Sequence, residues 1–321
     1  METYISIIIP MYNAELHIKQ CINALNNQTN KNFELIIVDD GSTDNSLKIL
    51  IDYIKDRKHT YIFSQKNSGV SAARNFGISK AHCKYVTFVD CDDIIDNRFV
   101  ENLHNIIINN DYDYIMSGTS FLQNKSIIKT IKIPDDSWHI EKLSTKFRYL
   151  DYTTSIHGKL YKKEILDKYN IRYNINMSYA EDRDFNIEYL NHIKTIRTIS
   201  YIGYYYNTDV INSLSKKKHS NILRNNCIYW NKVLNLSNEH SFLIYVANNM
   251  FYGITDNISE MVKTIGWYKT VKELHVNAKY MNYKFIKSYQ HYITAPFWVK
   301  KVFCISPILY SAIQKLLSSP N

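Results

Sequence analysis

A chain of 321 residues with 45% apolar content has length for about two domains and is too apolar to be a disordered segment. Five cysteines, an odd number with no CxxC or Cys/His ligand spacing, argue against a disulfide framework or a zinc site and for a reducing compartment. The net charge of +9 asks for an anionic partner, but no nucleic-acid motif accompanies it, so no nucleic-acid partner is expected.

METYISIIIPMYN opens the chain without a basic segment, and its apolar run is too short for a signal peptide. ISIII (5–9), closed by Pro10, predicts a buried strand. Residues 15–27 carry Ile18, Cys21, Ile22 and Leu25 at helical spacing. FELIIV (33–38) predicts a second strand, ending in Asp39-Asp40. GSTD (41–44) supplies a turn glycine and N-cap candidates before a helix containing Leu47, Leu50, Ile51 and Ile54. TYIF (60–63) predicts a third strand, Ser71 to Ala81 a helix, YVTFV (85–89) a fourth strand, Asn97 to Asn109 a helix and DYIMSG (113–118) a fifth strand. This alternation predicts a mostly parallel sheet with helices on both faces. Ligands of such sheets bind at the carboxyl ends of strands, where this sequence places PMYN, Asp39-Asp40 and Asp90-Cys91-Asp92.

Beyond residue 120 the rhythm weakens. Residues 181–193 read as helix, YIGYYY (201–206) as strand, and the text from about 221 as mostly helical. A boundary is placed near 220: residues 1–220 as one domain (1–118 and 119–220 as halves) and 221–321 as a helical region. After Glu273 there is no acid, while Lys279, Lys284, Lys287, Lys300, Lys301 and Lys315 follow, interleaved with Phe297, Trp298, Phe303 and Tyr310. The longest uncharged stretch there, Val302 to Gln314, has 13 residues, against the roughly 20 that span a bilayer. The pattern suits a helix lying on an anionic membrane surface; the competing reading is a helix packed on the protein with a solvated lysine face.

In YVTFVDCDD, Asp90 and Asp92 fall on one side of an extended chain. Paired carboxylates make a hard-oxygen site for Mg²⁺ or Mn²⁺ that shares the ion with a diphosphate; the competing reading is an acidic turn capping the helix at 97. Tyr12 can stack on a base, and Asp39 or Asp40 can accept a hydrogen bond from a ring N–H. The turn PMYNAE has no glycine, which disfavours a dinucleotide fold, and no GxxxxGK[ST] is present. Glu181-Asp182 offers a general base beside a second carboxylate, or simply acids favoured at a helix N-terminus.

SIIIPMYN, NNQT (26–29), ELIIVDDGSTDNS (34–46), KNSGVSAARNFGISKA (66–81) and YVTFVDCDD (85–93) occur in that order. Together they resemble the N-terminal half of the family 2 glycosyltransferases; HGKLYKKEIL (157–166), AEDRDF (180–185) and GYYYN (203–207) extend the resemblance more loosely. It implies a GT-A fold, Rossmann-like, and an inverting, metal-dependent transfer from a nucleotide sugar, most often a UDP-sugar, to a glycan or lipid-linked oligosaccharide acceptor in surface polysaccharide assembly. By the same resemblance Pro10 and Tyr12 line the base pocket, Asp40 (with Asp39 as the other candidate) bonds the base, and Arg74 contacts the nucleotide. Asp90 meets ribose or metal, Asp92 binds the metal as part of a DXD motif, and Asp182 is the base with Glu181 as helper. The family often has Asn-Lys where this chain has Gly158-Lys159. Lys216, Lys217, Lys218 and His219 either close over the diphosphate or form a solvated loop. The implied place is cytoplasmic, peripheral on the inner face of the membrane. A nucleotide-sugar-binding scaffold and a nucleotidyltransferase are the competing readings.

Overall fold

The computed structural model describes residues 4–54, 57–177, 179–209, 222–265 and 267–295, with 300, 303, 307, 310 and 311. They divide into two compact units: Met1–Lys142, Arg148–Asn176 and Glu181–Lys217 form the first, and Leu143–Phe147, Met177–Ala180 and Lys218–Asn321 the second.

The first unit is built on one mixed sheet. Its strands are β1 (Ile5–Met11), β2 (Phe33–Asp39), β3 (Thr60–Ser64), β4 (Tyr85–Phe88), β5 (Ile94–Ile95), β6 (Tyr114–Gln123), β7 (Ser126–Ile131), β8 (Asp136–His139), β9 (Lys159–Lys162) and β10 (Thr195–Asn207). The order is β3-β2-β1-β4-β9-β6-β10-β5, with β7 beside β6 and β8 beside β10. β3, β2, β1 and β4 run parallel, as the N-terminal alternation predicts, while β9 enters antiparallel to both β4 and β6.

The pleat of β1 sorts its side chains between two cores. Ile5, Ile7 and Ile9 join a cluster with α1 (Ile18–Asn26), α2 (Ser46–Ile54) and α4 (Phe99–Ile107). Ile8 points the other way, onto α3 (Val70–Lys80), where a Cβ at Gly77 would strike its Cγ2. That close approach is why a glycine stands inside this helix despite its cost there. Phe88, which pairs in register with Ile8, meets Tyr161, Tyr173 and Phe185 of α6 (Glu181–Leu190).

β5, β7, β8 and β9 are absent from the sequence reading, and β10 is longer than the predicted 201–206. Proline poses no conflict in β1: the strand runs through Pro10 to Met11, and the main-chain bond at its end is Asp40 N–H to Met11 O, 2.8 Å.

In the second unit α7 (Ile222–Val233), α8 (His240–Ile265), α9 (Trp267–Asn277) and α10 (Tyr283–Ser288) surround a core of Leu223, Phe242, Val246, Met250, Ile254 and Phe303. Of the basic tail, Lys279, Lys284 and Lys287 are exposed, and Lys300 donates to Ile293 O at 2.9 Å. Phe303 and Tyr310 are buried, Phe303 against Phe251 at 5.1 Å. Lys301, Lys315, Phe297 and Trp298 lie outside the described residues. No described helix is long and apolar enough to cross a membrane.

One side chain ties α6 to the sheet. Asn186, fully buried, accepts from Tyr161 Oη (2.6 Å) and Tyr114 Oη (3.2 Å) and donates to Thr153 O (2.7 Å) and Ser155 O (2.9 Å). All four bonds an amide can make are formed. Asn186→Leu strands two hydroxyls and two carbonyls; we expect about 3 kcal/mol of destabilisation and a melting temperature lower by about 5–10 °C, whereas a shift within about 1 °C in a thermal melt would mean that the network carries no weight.

Candidate active site

The carboxyl ends of β1, β2 and β4 open on one cleft of about 1240 Å³, larger than the ~300–1,000 Å³ of single small-molecule sites. Pro10, Tyr12, Asp40, Arg74, Asp90, Asp92, Glu181 and Asp182 all line it. Of the predicted residues only Asp39 does not: it is buried, and its Oδ1 accepts from Ser42 N–H at 3.1 Å to shape the GSTD turn. Tyr12 is 49% exposed, a free ring face at the cleft mouth.

Asp40 is also buried, held by the loop after β3. Oδ1 accepts from Gln65 Nε2 (2.7 Å) and Ser68 N–H (2.9 Å), and Oδ2 from Gly69 N–H (2.8 Å). A carboxylate accepts about four bonds, so Oδ2 keeps one position. Gly69, at φ 89, precedes α3 and turns its N–H onto this acid.

Arg74 projects from α3 and is only 4% exposed. Its Nη2 donates to Asp90 Oδ1 at 2.8 Å and its Nη1 to Asp182 Oδ1 at 3.1 Å, with Glu181 Oε1 at 4.0 Å. Burial alone disfavours the charge, but Asp90 and Asp182 hold the guanidinium firmly protonated. Burial likewise works against the charge on Asp90; Arg74 and His157 overcome it and keep this carboxyl well below the usual range. Glu181 lacks so close a cation. Burial, then the charge of Asp182, push it up to about 7.

The opposite wall comes from the second half of the sheet. His157 is buried, stacked on Tyr204 (4.8 Å) and Tyr206 (4.9 Å), with Nε2 3.7 Å from both Asp90 Oδ2 and Asp93 Oδ2. Tyr204 Oη donates to Asp93 Oδ2 (2.7 Å) and accepts from Asp90 N–H (3.1 Å); Asn207 N–H donates to Asp93 Oδ1 (2.8 Å). Tyr204 and Tyr206, two residues apart on a strand, share a face; that spacing in GYYYN is the signal that could have placed both at the site. Lys159 is buried, its Nζ donating to His157 O at 3.3 Å, and burial lowers it to about 7.

β4 ends at Phe88 and residues 91–92 turn, so the strand alternation invoked for Asp90 and Asp92 does not apply; the turn nonetheless leaves both on the cleft. Cys91 packs partly on the core cluster and also borders the cleft. Ligand atoms of Asp90, Asp93 and His157 lie within 4.8 Å of one another, yet both Asp93 oxygens and Asp90 Oδ1 already accept protein bonds. Asp92 is different. Burial and the charge of Asp90 raise its pKa, strain that a bound cation relieves, and its oxygen chemistry suits Mg²⁺ or Mn²⁺. Asp92 and Asp90 both line the cleft, and their carboxylate chemistry is that of a divalent-cation site. At Gly158, φ is 64 and a Cβ would strike Ser117 Oγ, so the asparagine frequent in the family would not fit against Ser117. Lys216 to Lys218 and His219 lie outside the described residues.

The model of the family described as "Glycosyl transferase family 2" matches residues 6–169, just over half of the chain. The chain belongs to glycosyl transferase family 2. Its family relatives include an uncharacterized glycosyltransferase, EpsJ, of Bacillus subtilis, 30% identical over 66% of this chain and 63% of that protein. Another is the poly(ribitol-phosphate) beta-N-acetylglucosaminyltransferase TarP of Staphylococcus aureus, 32% identical over 68% of this chain and 66% of TarP. The chain thus spans about two thirds or less of these relatives. The crystal structure of S. aureus TarS 1-349 in complex with UDP-GlcNAc superposes with a TM-score of 0.76 at 20% identity, covering 98% of this chain and 88% of that one. That likeness establishes the GT-A fold for the family member described here.

Glu181 yields a prediction. Its carboxyl, ordinarily near 4.5, titrates at about 7 when folded, so between those values the folded chain holds a proton that the unfolded chain has lost. Glu181 therefore costs stability as pH rises from about 4.5 to 7. Thermal melts of wild type and Glu181→Gln should diverge across that window, the variant falling less; parallel curves would place Glu181 outside the low-dielectric cleft.

Proposed function

We propose that the chain is an inverting glycosyltransferase that moves a sugar from a nucleotide sugar, a UDP-sugar, to a hydroxyl of a glycan or lipid-linked acceptor during surface polysaccharide assembly. The observation that carries this reading is the convergence of Asp90, Arg74 and Asp182 in one cleft at the strand ends. The printed activities of the poly(ribitol-phosphate) transferases among the relatives and the nucleotide sugar in the TarS crystal support it.

In this reading Pro10 and Tyr12 flank the base and the remaining acceptor position of Asp40 Oδ2 receives a ring N–H, with Asp39 shaping the turn behind it. Arg74 orients Asp90 toward the ribose or the metal. Asp92 and Asp90 hold Mn²⁺ or Mg²⁺, which when bound supplies positive charge to the departing diphosphate. Asp182 is the general base. Arg74 fixes its Oδ1, and its Oδ2 makes no bond to any described residue, leaving an acceptor for the proton of the attacking hydroxyl. Glu181 beside it helps orient the acceptor. With Asp182 as the base and no second carboxylate assigned as nucleophile among the described residues, a single displacement inverts the anomeric centre. In this reading the enzyme sits peripherally on the inner face of the membrane, which the exposed Lys279, Lys284 and Lys287 support.

Two substitutions separate the roles. Asp92→Asn should weaken UDP binding in the presence of Mn²⁺ by about tenfold or more in isothermal titration, with a smaller effect once a chelator is present. Asp182→Asn should leave UDP binding within about twofold of wild type and lower sugar transfer by at least about 10²-fold. Wild-type transfer by Asp182→Asn, or no UDP binding by the native chain, would refute the assignment.

A further inference from the structure

The hairpin of β6 and β7 is an exposed apolar element with no role in the chemistry above. Asn124 (φ 49) and Lys125 (φ 62) make its two-residue turn, both in the left-handed region that such turns require. Lysine occupies a position where glycine is preferred. Pairing runs Gln123 with Ser126, Leu122 with Ile127 and then Phe121 with Lys129, so Ile128 is an extra residue, a bulge. Bulges commonly blunt an edge strand. This one leaves two successive isoleucines in the open, Ile127 at 58% and Ile128 at 55% exposed.

Charge decides what covers them. Lys125, Lys129 and Lys132 are exposed around the isoleucines, and no Asp or Glu occurs from Tyr114 to Pro134; one acid, Asp209, touches the tip, its Oδ2 accepting from Asn124 N–H at 2.7 Å. A second copy pairing along β7 would set lysines against lysines, and the bulge interrupts the ladder that an added strand needs. An anionic lipid surface is complementary to both features: lysines take headgroup charge and isoleucines enter the interface. The base of the hairpin is also part of the cleft. Phe121 and Ile131 line it, Lys129 lies 5.5 Å over the Phe121 ring, and Phe121 meets Tyr206 at 5.5 Å.

We propose that the β6–β7 hairpin is a docking surface for an anionic lipid bilayer, entered by Ile127 and Ile128. This contact is separate from the lysines of the C-terminal region. It brings the β6–β7–β10 wall of the cleft to the membrane; only the consequence that a lipid-linked acceptor arrives from that side rests on the function proposed above.

The test is co-sedimentation of the full chain with phosphatidylcholine vesicles with and without phosphatidylglycerol. Wild type should bind only the anionic vesicles. Ile127→Ser/Ile128→Ser and, as a second variant independent of apolar packing, Lys125→Glu/Lys132→Glu should each lower that binding about tenfold or more, with UDP affinity unchanged. Lys284→Glu/Lys287→Glu should lower it less. The proposal is overturned if both hairpin variants bind like wild type, if wild type binds neither vesicle or both alike, or if light scattering shows the isoleucine variant converting a dimer to a monomer while vesicle binding persists. UDP binding is read on the same samples, so a failed membrane contact is distinguishable from a failed transferase reading.

Discussion

The buried guanidinium of Arg74 is the contact on which the cleft depends. A charge removed from water is tolerated only when paired and hydrogen-bonded, and here the partners come from two separate segments: Asp90 after β4 and Asp182 in the first turn of α6. Three elements far apart in sequence therefore share one electrostatic constraint. Deleting Arg74 leaves two buried carboxylates without their shared cation, a loss of about 3–5 kcal/mol in comparable pairs. Lysine is no substitute, because a point charge cannot hold two carboxylates in a fork.

Around this centre the protein satisfies its polar groups in two layers. Tyr204 and Asn207 of β10 fix Asp93, and through the Asp90 amide they fix the acidic turn. Asn186 anchors α6 from behind through two tyrosines and two carbonyls. The first layer sits on β10, which pairs parallel with β6, and the second bonds Tyr161 of β9 and Tyr114 of β6, with β9 antiparallel to β4. The nucleotide-side residues thus come from the regular α/β pattern, and the groups that hold them in register come from the less regular half. Burial raises the pKa of Asp93, which Tyr204 and Asn207 hold, and also of Asp92 and Glu181, which face the cleft.

That division explains what the sequence made legible. β1, β2 and β4 are buried on both faces, so they read as continuous apolar runs, and their helices show a clear 3.6-residue period. β7 and β8 are short edge strands with polar or basic residues, and β9 begins with a buried lysine, Lys159; none has the composition of a core strand. The acids and Arg74 stand in ordered motifs, yet the bond between Arg74 and Asp182 spans 108 positions and no local pattern encodes it. His157 stands in HGKLYKKEIL with no signal of its own, because its stacking on Tyr204 and Tyr206 is a tertiary fact. In sequence Asp40 is an open acceptor, whereas in the fold loop 65–69 takes most of its capacity.

The most direct test of the central claim is a double-mutant cycle between Arg74 and Asp182. Arg74→Gln, Asp182→Asn and the double variant would be compared by turnover of a UDP-sugar with the native chain as reference. If the guanidinium acts by holding the base, the two losses overlap, and the double variant is hardly worse than the poorer single one, with an interaction energy of about 1–3 kcal/mol. Additive losses would show that the two residues act independently and would contradict the bridge at the centre of the account.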